Sequence, residues 1–401
     1  MSKITSLADV VGRDQLIKKI WRVLEKNSIV MTAERRFGKT TILRKLNGEP
    51  KDGFQVVFFD LEGCETPEEF LGHFASRAIG LAGKQEKVLA GIRSFLMKIG
   101  GTQIGNLIKF PQLEPDDWKL VYRNLVEAIS KSAGEKNVVF LFDELPYMLQ
   151  LIEANERKNG GSGLEALSVL NELRASRFSH DNIRMIYSGS LGLHHILNSL
   201  RNTDVSAEPL NDLVMIEVPP LDPAFGKELA IRELAENGVI ACESHDVAAE
   251  VSRLSGEVPF YIERISAKLA DSVQPVSSKE VGRVVDRVLT EAKDEWQMRH
   301  FQSRISDYYP GSIEGADGRA IARADLANEI ITSLVHAEEP LGIGAILNQM
   351  KSRYSLNSKQ VLLEMLRLLE LDHYLVSELQ NESKTYRLAF PLLKRWWILN
   401  N

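Results

Sequence analysis

The stretch that most constrains this chain is the loop sequence AERRFGKTT at residues 33–41. The apolar run from Ser28 to Thr32 predicts a buried strand before it, and the run from Ile42 to Leu46 predicts a helix after it. Strand, loop and helix in this order are the context that a phosphate-binding P-loop requires. The backbone N–H groups of such a loop surround a polyphosphate at a helix N-terminus, where the helix dipole favours an anion. The sequence therefore predicts a polyphosphate site here.

Individual residues of the loop have distinct expected roles. Lys39 is expected to reach the β- and γ-phosphates, and the hydroxyl of Thr40 is expected to ligate Mg²⁺. The first position of the usual pattern is Gly but is Ala33 here, so the loop must begin in an ordinary backbone conformation. The other candidate nucleotide-binding residues are Arg35, Arg36, Phe37, Gly38 and Thr41. A chance Gly-Lys-Thr between a strand and a helix is the alternative interpretation.

A second apolar run makes a chance occurrence of the Gly-Lys-Thr sequence a poorer explanation. Residues 138–142 (VVFLF) are typical of a central parallel strand that is covered on both faces, and Asp143 and Glu144 follow directly. In a P-loop ATPase a carboxylate at this strand end holds Mg²⁺ through water. The adjacent Glu can take a proton from the attacking water. We therefore predict Asp143 as a metal ligand and Glu144 as the catalytic base, against the alternative of two solvated carboxylates.

Four segments together resemble the prokaryotic AAA-like P-loop ATPases of the archaeal-ATPase and STAND type, which are relatives of the origin-recognition AAA+ ATPases. The segments are Val11–Asp14, Ala33–Thr41, Phe142–Glu144 and Ser255–Tyr261. The resemblance covers most of the chain except residues 84–117 and 295–322. It implies ATP rather than GTP as the nucleotide, with Mg²⁺ as the cofactor.

The resemblance also implies roles at three further positions. A Gly-Arg-acidic motif lies beside the nucleotide base in these proteins, which assigns Gly12 and Arg13 to that place; a surface Arg before a helix is the alternative. Pro259 matches the Gly-x-Pro turn of a lid that packs near the adenine, although it could equally start a helix. Ser190 or Ser188, at the end of another strand, matches a polar residue that senses the γ-phosphate, unless this is a plain turn.

An arginine supplied in trans would stabilise charge on the transferring phosphoryl group. Arg201 lies near the place where AAA+ proteins carry such a finger, and Arg174 and Arg177 are its competitors. Without a working finger, the protein is expected to be a slow switch more than a motor.

Apolar runs alternating with helical patterns predict an α/β fold, with five parallel strands flanked by helices and the site at the carboxyl ends of the strands. The resemblance places the P-loop strand centrally. The predicted domains are a P-loop ATPase core (1–220), a helical lid (221–290) and a winged-helix domain (291–401). Residues 84–117 are an insertion whose role the sequence leaves open. The predicted strands are residues 28–32, 54–61, 138–142, 183–187 and 213–218.

The winged-helix prediction rests on three helical patterns followed by a hairpin pattern. The helices are residues 326–336, 342–354 and 358–371, and the strands are residues 374–379 and 385–390. Such a domain can place a helix in the major groove of DNA. However, residues 323–401 hold nine basic and nine acidic residues, so this region is neutral, whereas DNA binding usually needs a basic face. Protein docking therefore stays beside DNA binding as an alternative.

Composition sets the broad class of the protein. Of its 401 residues, 44% are hydrophobic and 26% are charged, as in ordinary globular proteins. No run approaches the roughly 18 apolar residues of a membrane span. The two cysteines, Cys64 and Cys242, fit a reducing cytoplasm, and the net charge of −6 argues against a protein that coats nucleic acid. We expect a cytoplasmic protein.

These observations favour a Mg²⁺-dependent, ATP-binding P-loop ATPase that works as a nucleotide-driven switch and repositions the winged-helix domain. The first alternative is a DNA-binding or DNA-loading protein whose occupancy ATP regulates. The second is a nucleotide-binding scaffold that serves a separately encoded effector, for example in prokaryotic defence. The expected partners are ATP or ADP and either another protein or a second copy of the chain. Duplex DNA, bound through the winged helix, is the partner in the first alternative, and no membrane contact is expected.

Overall fold

A five-stranded parallel sheet is the central element of the N-terminal half of the structure. The structure is a computed structural model, and it describes residues 10–81, 102–104, 107–109, 117–189 and 210–401. The chain divides into two units, Met1–Val218 and Pro219–Asn401. The described elements of the first unit are α1 (Asp14–Leu24), β1 (Ile29–Thr32), α2 (Lys39–Gly48), β2 (Phe54–Asp60), α3 (Pro67–Leu81), β3 (Thr102–Ile104), β4 (Leu107–Lys109), α4 (Asp117–Ser132), β5 (Asn137–Asp143), α5 (Leu145–Lys158), α6 (Glu165–Ser179), β6 (Ile183–Ser188) and β7 (Val214–Glu217).

The strand order in this sheet is β2-β5-β6-β1-β7, and every pairing is parallel. The predicted five-stranded parallel sheet is therefore confirmed. The P-loop strand β1 lies inside the sheet, between β6 and β7. Within β5 every residue from Val138 to Asp143 is buried, which explains its unbroken apolar sequence, because helices cover both faces of a central parallel strand.

Local sequence signals set where the helices begin. The hydroxyl of Thr66 accepts a hydrogen bond from the backbone N–H of Glu69 at 3.2 Å, and Pro67 follows as the first residue of α3. The Glu69 carboxylate in turn accepts the backbone N–H of Glu65 at 2.8 Å. These two bonds satisfy backbone donors that the start of a helix would leave unpaired.

In the insertion between β2 and β5, the structure describes the antiparallel strand pair β3–β4. The helical pattern of residues 88–99 lies outside the described residues.

An aromatic cluster fills the core beneath β2 and β5. Phe59 stacks on Phe74 with 5.2 Å between ring centroids, and Phe74 meets Phe140 edge to face at 5.2 Å. Phe74 is fully buried and also lies 4.9 Å from the ring of Tyr122 on α4. Such pairs contribute about 0.5–1.5 kcal/mol each beyond the burial of their area. This cluster holds α3 and α4 against the two strands.

The second unit begins with helices and has a small sheet just before its last helix. Its elements are α7 (Pro223–Glu236), α8 (Ser244–Ser255), α9 (Pro259–Leu269), α10 (Ser278–Thr290), α11 (Arg299–Tyr308), β8 (Ser312–Glu314), β9 (Ala320–Ala322), α12 (Arg323–His336), β10 (Leu341–Gly342), α13 (Ile343–Tyr354), α14 (Lys359–Leu371), β11 (Leu375–Gln380), β12 (Ser383–Leu388) and α15 (Pro391–Asn400). The helices and the hairpin expected after residue 323 are present, and β10 completes an antiparallel sheet of order β10-β12-β11.

The last helix packs back onto the helical part of this unit. Helix α15 packs against α10, where the guanidinium of Arg395 forms an ion pair with Asp286. Trp396 and Trp397 are both 2% exposed, so they belong to the core. The domain boundaries at residues 220 and 290 stay predictions. In the part of the chain that is described, none of the helices is long and apolar enough to cross a bilayer.

Phe74→Ala should lower the free energy of unfolding of the first unit by about 3–5 kcal/mol, because it leaves a cavity among four rings. The matched control is Phe178→Ala on α6, where the ring is 64% exposed and lies 5.4 Å beneath the Arg174 guanidinium. That change should cost no more than about 1 kcal/mol. Calorimetric unfolding of both variants measures the difference, and equal costs would contradict the assignment of the core.

Candidate functional site

The loop between β1 and α2 has the backbone geometry of an anion-binding turn. Gly38 has φ 91° and immediately precedes the first residue of α2. A Cβ at Gly38 would approach no atom closer than 3.9 Å, so its backbone conformation, not lack of space, requires Gly there. Arg36 has φ 74°, an unusual conformation for a residue with a side chain. Ala33 keeps a negative φ, as predicted.

Lys39 lies inside this loop. Its ammonium donates hydrogen bonds to the carbonyl oxygens of Ala33 at 2.7 Å and Glu34 at 3.0 Å. Burial lowers the pKa of Lys39, and the nearby carboxylate of Glu34 opposes that shift. The side-chain nitrogen therefore lies against two backbone carbonyl oxygens, with which a bound phosphate would compete. Sequence reasoning gave no role to Glu34, which is 2% exposed.

Asp143 and Thr40 meet across the carboxyl edge of the sheet. The hydroxyl of Thr40 donates to Asp143 Oδ2 at 2.7 Å, and Asp143 Oδ1 is buried without a hydrogen-bond partner in the part of the chain that is described. Burial raises the pKa of Asp143, while the hydrogen bond from the hydroxyl of Thr40 acts in the opposite direction. An unpaired carboxylate oxygen beside a hydroxyl is an oxygen donor set of the kind that Mg²⁺ takes together with water and phosphate. The residues therefore fit a magnesium ion.

Glu144 follows Asp143 in a strained conformation. Its φ of 56° lies in the left-handed region, and it is the N-cap of α5. A non-Gly residue held in this region costs about 1–3 kcal/mol and often marks a functional site. Its backbone therefore turns sharply between the strand end and the helix, at the edge of the sheet where Thr40 and Asp143 meet.

Arg13 contacts the phosphate loop directly. Its side chain is buried, and Nη2 donates a hydrogen bond to the carbonyl of Phe37 at 3.1 Å. Gly12 before it has φ 68°. The Gly-Arg motif at residues 12 and 13 therefore contacts the loop from the side of α1. The sequence did not reveal this contact. The role of both residues at the nucleotide base stays a prediction.

The candidate trans arginines divide into those the structure describes and those it does not. Arg201, like the sensor candidate Ser190, lies outside the described residues. Arg177 is unsuited to act in trans: its side chain is 4% exposed, it forms a two-pronged ion pair with Asp212 at 2.8 and 2.9 Å, and it also bonds the hydroxyl of Tyr187. Its candidacy was wrong because an internal carboxylate already holds this guanidinium.

The remaining assigned positions are Thr41 and Pro259 in the first turns of helices and Arg35 in the loop before α2. Thr41 is half-buried in the first turn of α2, and Arg35 is exposed, with its backbone N–H donating to the Glu34 carboxylate at 2.8 Å. Pro259 is the first residue of α9, in agreement with the alternative that it starts a helix. Whether Pro259 also contacts a nucleotide stays a prediction.

Two Asp→Asn substitutions should change stability in opposite directions. Asp143 has a raised pKa in the fold, which means that folding disfavours its ionised form. The resulting loss of folding free energy is complete above the raised pKa and vanishes below the ordinary value of 3.8. Asp143→Asn should therefore stabilise the nucleotide-free protein at pH 7.5 by about 1–3 kcal/mol. The gain should shrink as the pH falls through the raised pKa toward 3.8.

Asp212→Asn is the matched control. Burial alone would raise the pKa of Asp212, but the hydrogen bonds and charge of Arg177 hold it below its usual value. Removing this carboxylate should lower the free energy of unfolding by roughly 3 kcal/mol, because it leaves a buried guanidinium without its anion. Thermal unfolding between pH 4.5 and 7.5 measures both effects, and two variants of the same sign would contradict the analysis.

Comparisons with known proteins support the fold. Searches against protein-family models and curated proteins give no match. A Walker-type ATPase of Pyrococcus abyssi matches over 97% of this chain and 96% of its own, with 17% identity and a TM-score of 0.62. The ORC2 protein of Aeropyrum pernix matches over 97% of this chain and 92% of its own, with 12% identity and a TM-score of 0.46. The RuvB protein of Thermotoga maritima matches over 95% of this chain and 94% of its own, with 11% identity and a TM-score of 0.39. The last two likenesses are too low to carry an argument. The chain has the α/β fold of the P-loop NTPases.

Proposed function

We propose that this protein is a Mg²⁺-dependent, ATP-binding P-loop ATPase. The observation that carries the proposal is the contact between Thr40 and Asp143, in which one carboxylate oxygen accepts the hydroxyl and the other is buried without a hydrogen-bond partner among the described residues. Lys39 lies in the same loop with its charge directed at backbone groups. A chance Gly-Lys-Thr sequence would have no reason to meet a buried carboxylate across the sheet.

Each residue has a separate task in this proposal. The N–H groups at the start of α2 and the Lys39 ammonium bind the phosphates and favour their negative charge. Thr40 and Asp143 would hold Mg²⁺, which neutralises charge on the β- and γ-phosphates when it is bound. Glu144 orients the attacking water and accepts its proton.

The proposed biological role is that of a nucleotide-driven switch whose output is carried by the winged-helix region after residue 291. A switch needs contacts that differ between its nucleotide states. We assign that difference to the sensor hydroxyl at Ser188 or Ser190 and to Pro259. A scaffold that binds ATP and barely hydrolyses it is the competing proposal, and turnover separates the two.

The first test compares ATP binding and turnover of the wild type with Lys39→Ala and Glu144→Gln. Lys39→Ala should weaken ATP binding by roughly 10- to 100-fold, because it removes a charge-assisted hydrogen bond worth about 1.5–3 kcal/mol. Glu144→Gln should keep ATP binding and lose roughly 10²- to 10⁴-fold in turnover, because the general base is removed. Calorimetric titration and phosphate release with and without Mg²⁺ measure these effects.

Lys45→Ala is the matched control, since Lys45 lies on the same helix but pairs with Glu49 at 2.6 Å on the surface. It should leave binding and turnover unchanged. If the wild type binds ATP without turnover, the scaffold proposal replaces the ATPase proposal. If the wild type does not bind ATP, both proposals are wrong.

We further propose a protein partner or self-association, in preference to duplex DNA, for the winged-helix region. Several of its cations are held by carboxylates of the same region. Three ion pairs support this view: Arg323–Glu364 at 2.7 Å, Lys384–Glu370 at 2.9 Å and Arg387–Glu378 at 2.6 Å.

Duplex DNA should therefore bind weakly and with little dependence on salt. The slope of log affinity against log salt is close to −0.9 for each phosphate contact, and we expect a slope that corresponds to fewer than about three contacts. Fluorescence anisotropy with a labelled duplex between 50 and 200 mM salt, with and without ATP, is the measurement, over the range in which such slopes are commonly compared. Tight binding with a steep slope would favour the DNA-loading alternative.

A further inference from the structure

A buried glycine stands directly beside the proposed catalytic base. Gly189 follows the last residue of β6, and its φ lies outside the left-handed region that only glycine adopts easily. The backbone conformation therefore does not require Gly at this position. Another reason must account for the missing side chain.

The register of the sheet places this residue level with Glu144. Strands β5 and β6 are parallel neighbours, and Phe142 pairs with Tyr187. Continuing this register by two residues brings Gly189 beside Glu144. The end of β6 is therefore the surface against which the turn after β5 must fit.

The space at Gly189 is already filled by that turn. A Cβ at this position would lie 2.4 Å from Cδ and 2.8 Å from Cγ of Pro146, and 3.5 Å from Oε2 of Glu144. Real Cβ atoms essentially never approach another heavy atom within 3.0 Å. Pro146 cannot move aside by a change of rotamer, because its ring is closed onto the backbone in the first turn of α5.

The position of Glu144 depends on the same turn. Its backbone is held at φ 56°, and α5 starts at the next residue. Any displacement of the Pro146 ring shifts the start of α5 and with it the residue that caps this helix. The phosphate-binding groups Lys39 and Thr40 lie on a different element, α2, and the nearest atoms to a Cβ at Gly189 belong to Pro146 and Glu144 instead.

We propose that Gly189 is a positioning residue for Glu144: the absence of a side chain lets Pro146 pack against the end of β6 and sets the carboxylate of Glu144 at the place where it serves the attacking water. This inference rests on the proposed ATPase function and deepens it. It assigns no direct contact with ATP to Gly189.

Gly189→Ala should separate turnover from binding. We expect kcat to fall by about 10- to 100-fold, because a displacement on the order of 1 Å of a catalytic group has effects of this size. The dissociation constant for ATP should stay within about threefold of the wild-type value, since the ground-state binding groups are unchanged. Phosphate release under saturating Mg²⁺–ATP and calorimetric titration measure the two quantities.

A second substitution tests the steric cause. Pro146→Ala removes Cγ and Cδ, the two ring atoms that a Cβ at Gly189 would meet, and alanine is a good residue for the first turn of a helix. Turnover of the single variant is the reference for the pair, because the Pro146 ring is itself part of the contact that positions Glu144. In the double variant Gly189→Ala/Pro146→Ala, turnover and the midpoint of thermal unfolding should both return toward the values of Pro146→Ala alone.

A third variant tests whether Gly189 acts through Glu144. In the Glu144→Gln background, Gly189→Ala should cause little further loss of single-turnover rate, because the group that it positions is already gone. A general loss of structure would instead lower the residual rate and the ATP affinity together. Gly344→Ala is the matched control: no atom lies within 4 Å of a Cβ at that glycine, so turnover should not change.

The inference is overturned if Gly189→Ala turns over like the wild type, if Pro146→Ala fails to rescue it, or if the defect persists at full size in the Glu144→Gln background. Failure of the proposed function has a different signature, namely a wild type that does not hydrolyse ATP. In that case the thermal unfolding of the Gly189→Ala and Pro146→Ala cycle still decides the steric coupling. Additive effects on the unfolding midpoint would then exclude it.

Discussion

The hydrogen bond between Thr40 and Asp143 is the constraint on which the site depends, because it joins residues 103 positions apart in the chain. The two strands that lead to these residues are not neighbours. In the order β2-β5-β6-β1-β7, strand β6 lies between β1 and β5, so the hydrogen bond spans the carboxyl end of β6. That end carries Ser188 and Gly189, two of the smallest side chains available. A bulky residue at either place would compete for the space in which the loop, the carboxylate and the turn into α5 converge.

Burial in the fold disfavours the charged forms of two groups at the site, Lys39 and Asp143. Burial lowers the pKa of Lys39 and raises that of Asp143, so both groups are pushed toward their neutral forms. Elsewhere in the same unit the chain shows that it can satisfy a buried charge, because the guanidinium of Arg177 has a carboxylate and a phenol as partners. At the site, by contrast, Asp143 has no cation within hydrogen-bond distance among the described residues and Lys39 bonds only backbone carbonyls, so a metal and a polyphosphate would supply the opposite charges. Proteins commonly give up stability at functional sites in this way.

The sequence was sufficient for the features that depend on local pattern. The unbroken apolar runs identified all five strands of the sheet, and the Gly-Lys-Thr and Asp-Glu positions predicted which strand ends would meet. Strand order was beyond reach, because an apolar run records burial and not the identity of its neighbours. The same limit hid the bond from Arg13 to Phe37 and the approach of Pro146 to Gly189, both of which join distant segments. The ion pair that makes Arg177 unsuited as a competitor of Arg201 was hidden for the same reason, because composition cannot distinguish a surface arginine from one that pairs internally.

In the proposed winged-helix region, the positions of the charges say more about a partner than the equal numbers of basic and acidic residues do. Neutral totals would still allow a basic face if the cations and carboxylates were segregated. They are instead interleaved: Lys384 on the hairpin pairs with Glu370 on α14, and Arg387 pairs with Glu378 on the adjacent strand. A phosphate that approached Lys384 would exchange one charge-assisted hydrogen bond for another and would face the released carboxylate. Little free energy is gained by such an exchange, and the carboxylate repels the next phosphate. A protein surface with its own paired charges faces no such penalty, and this difference is the physical basis for proposing a protein partner over duplex DNA.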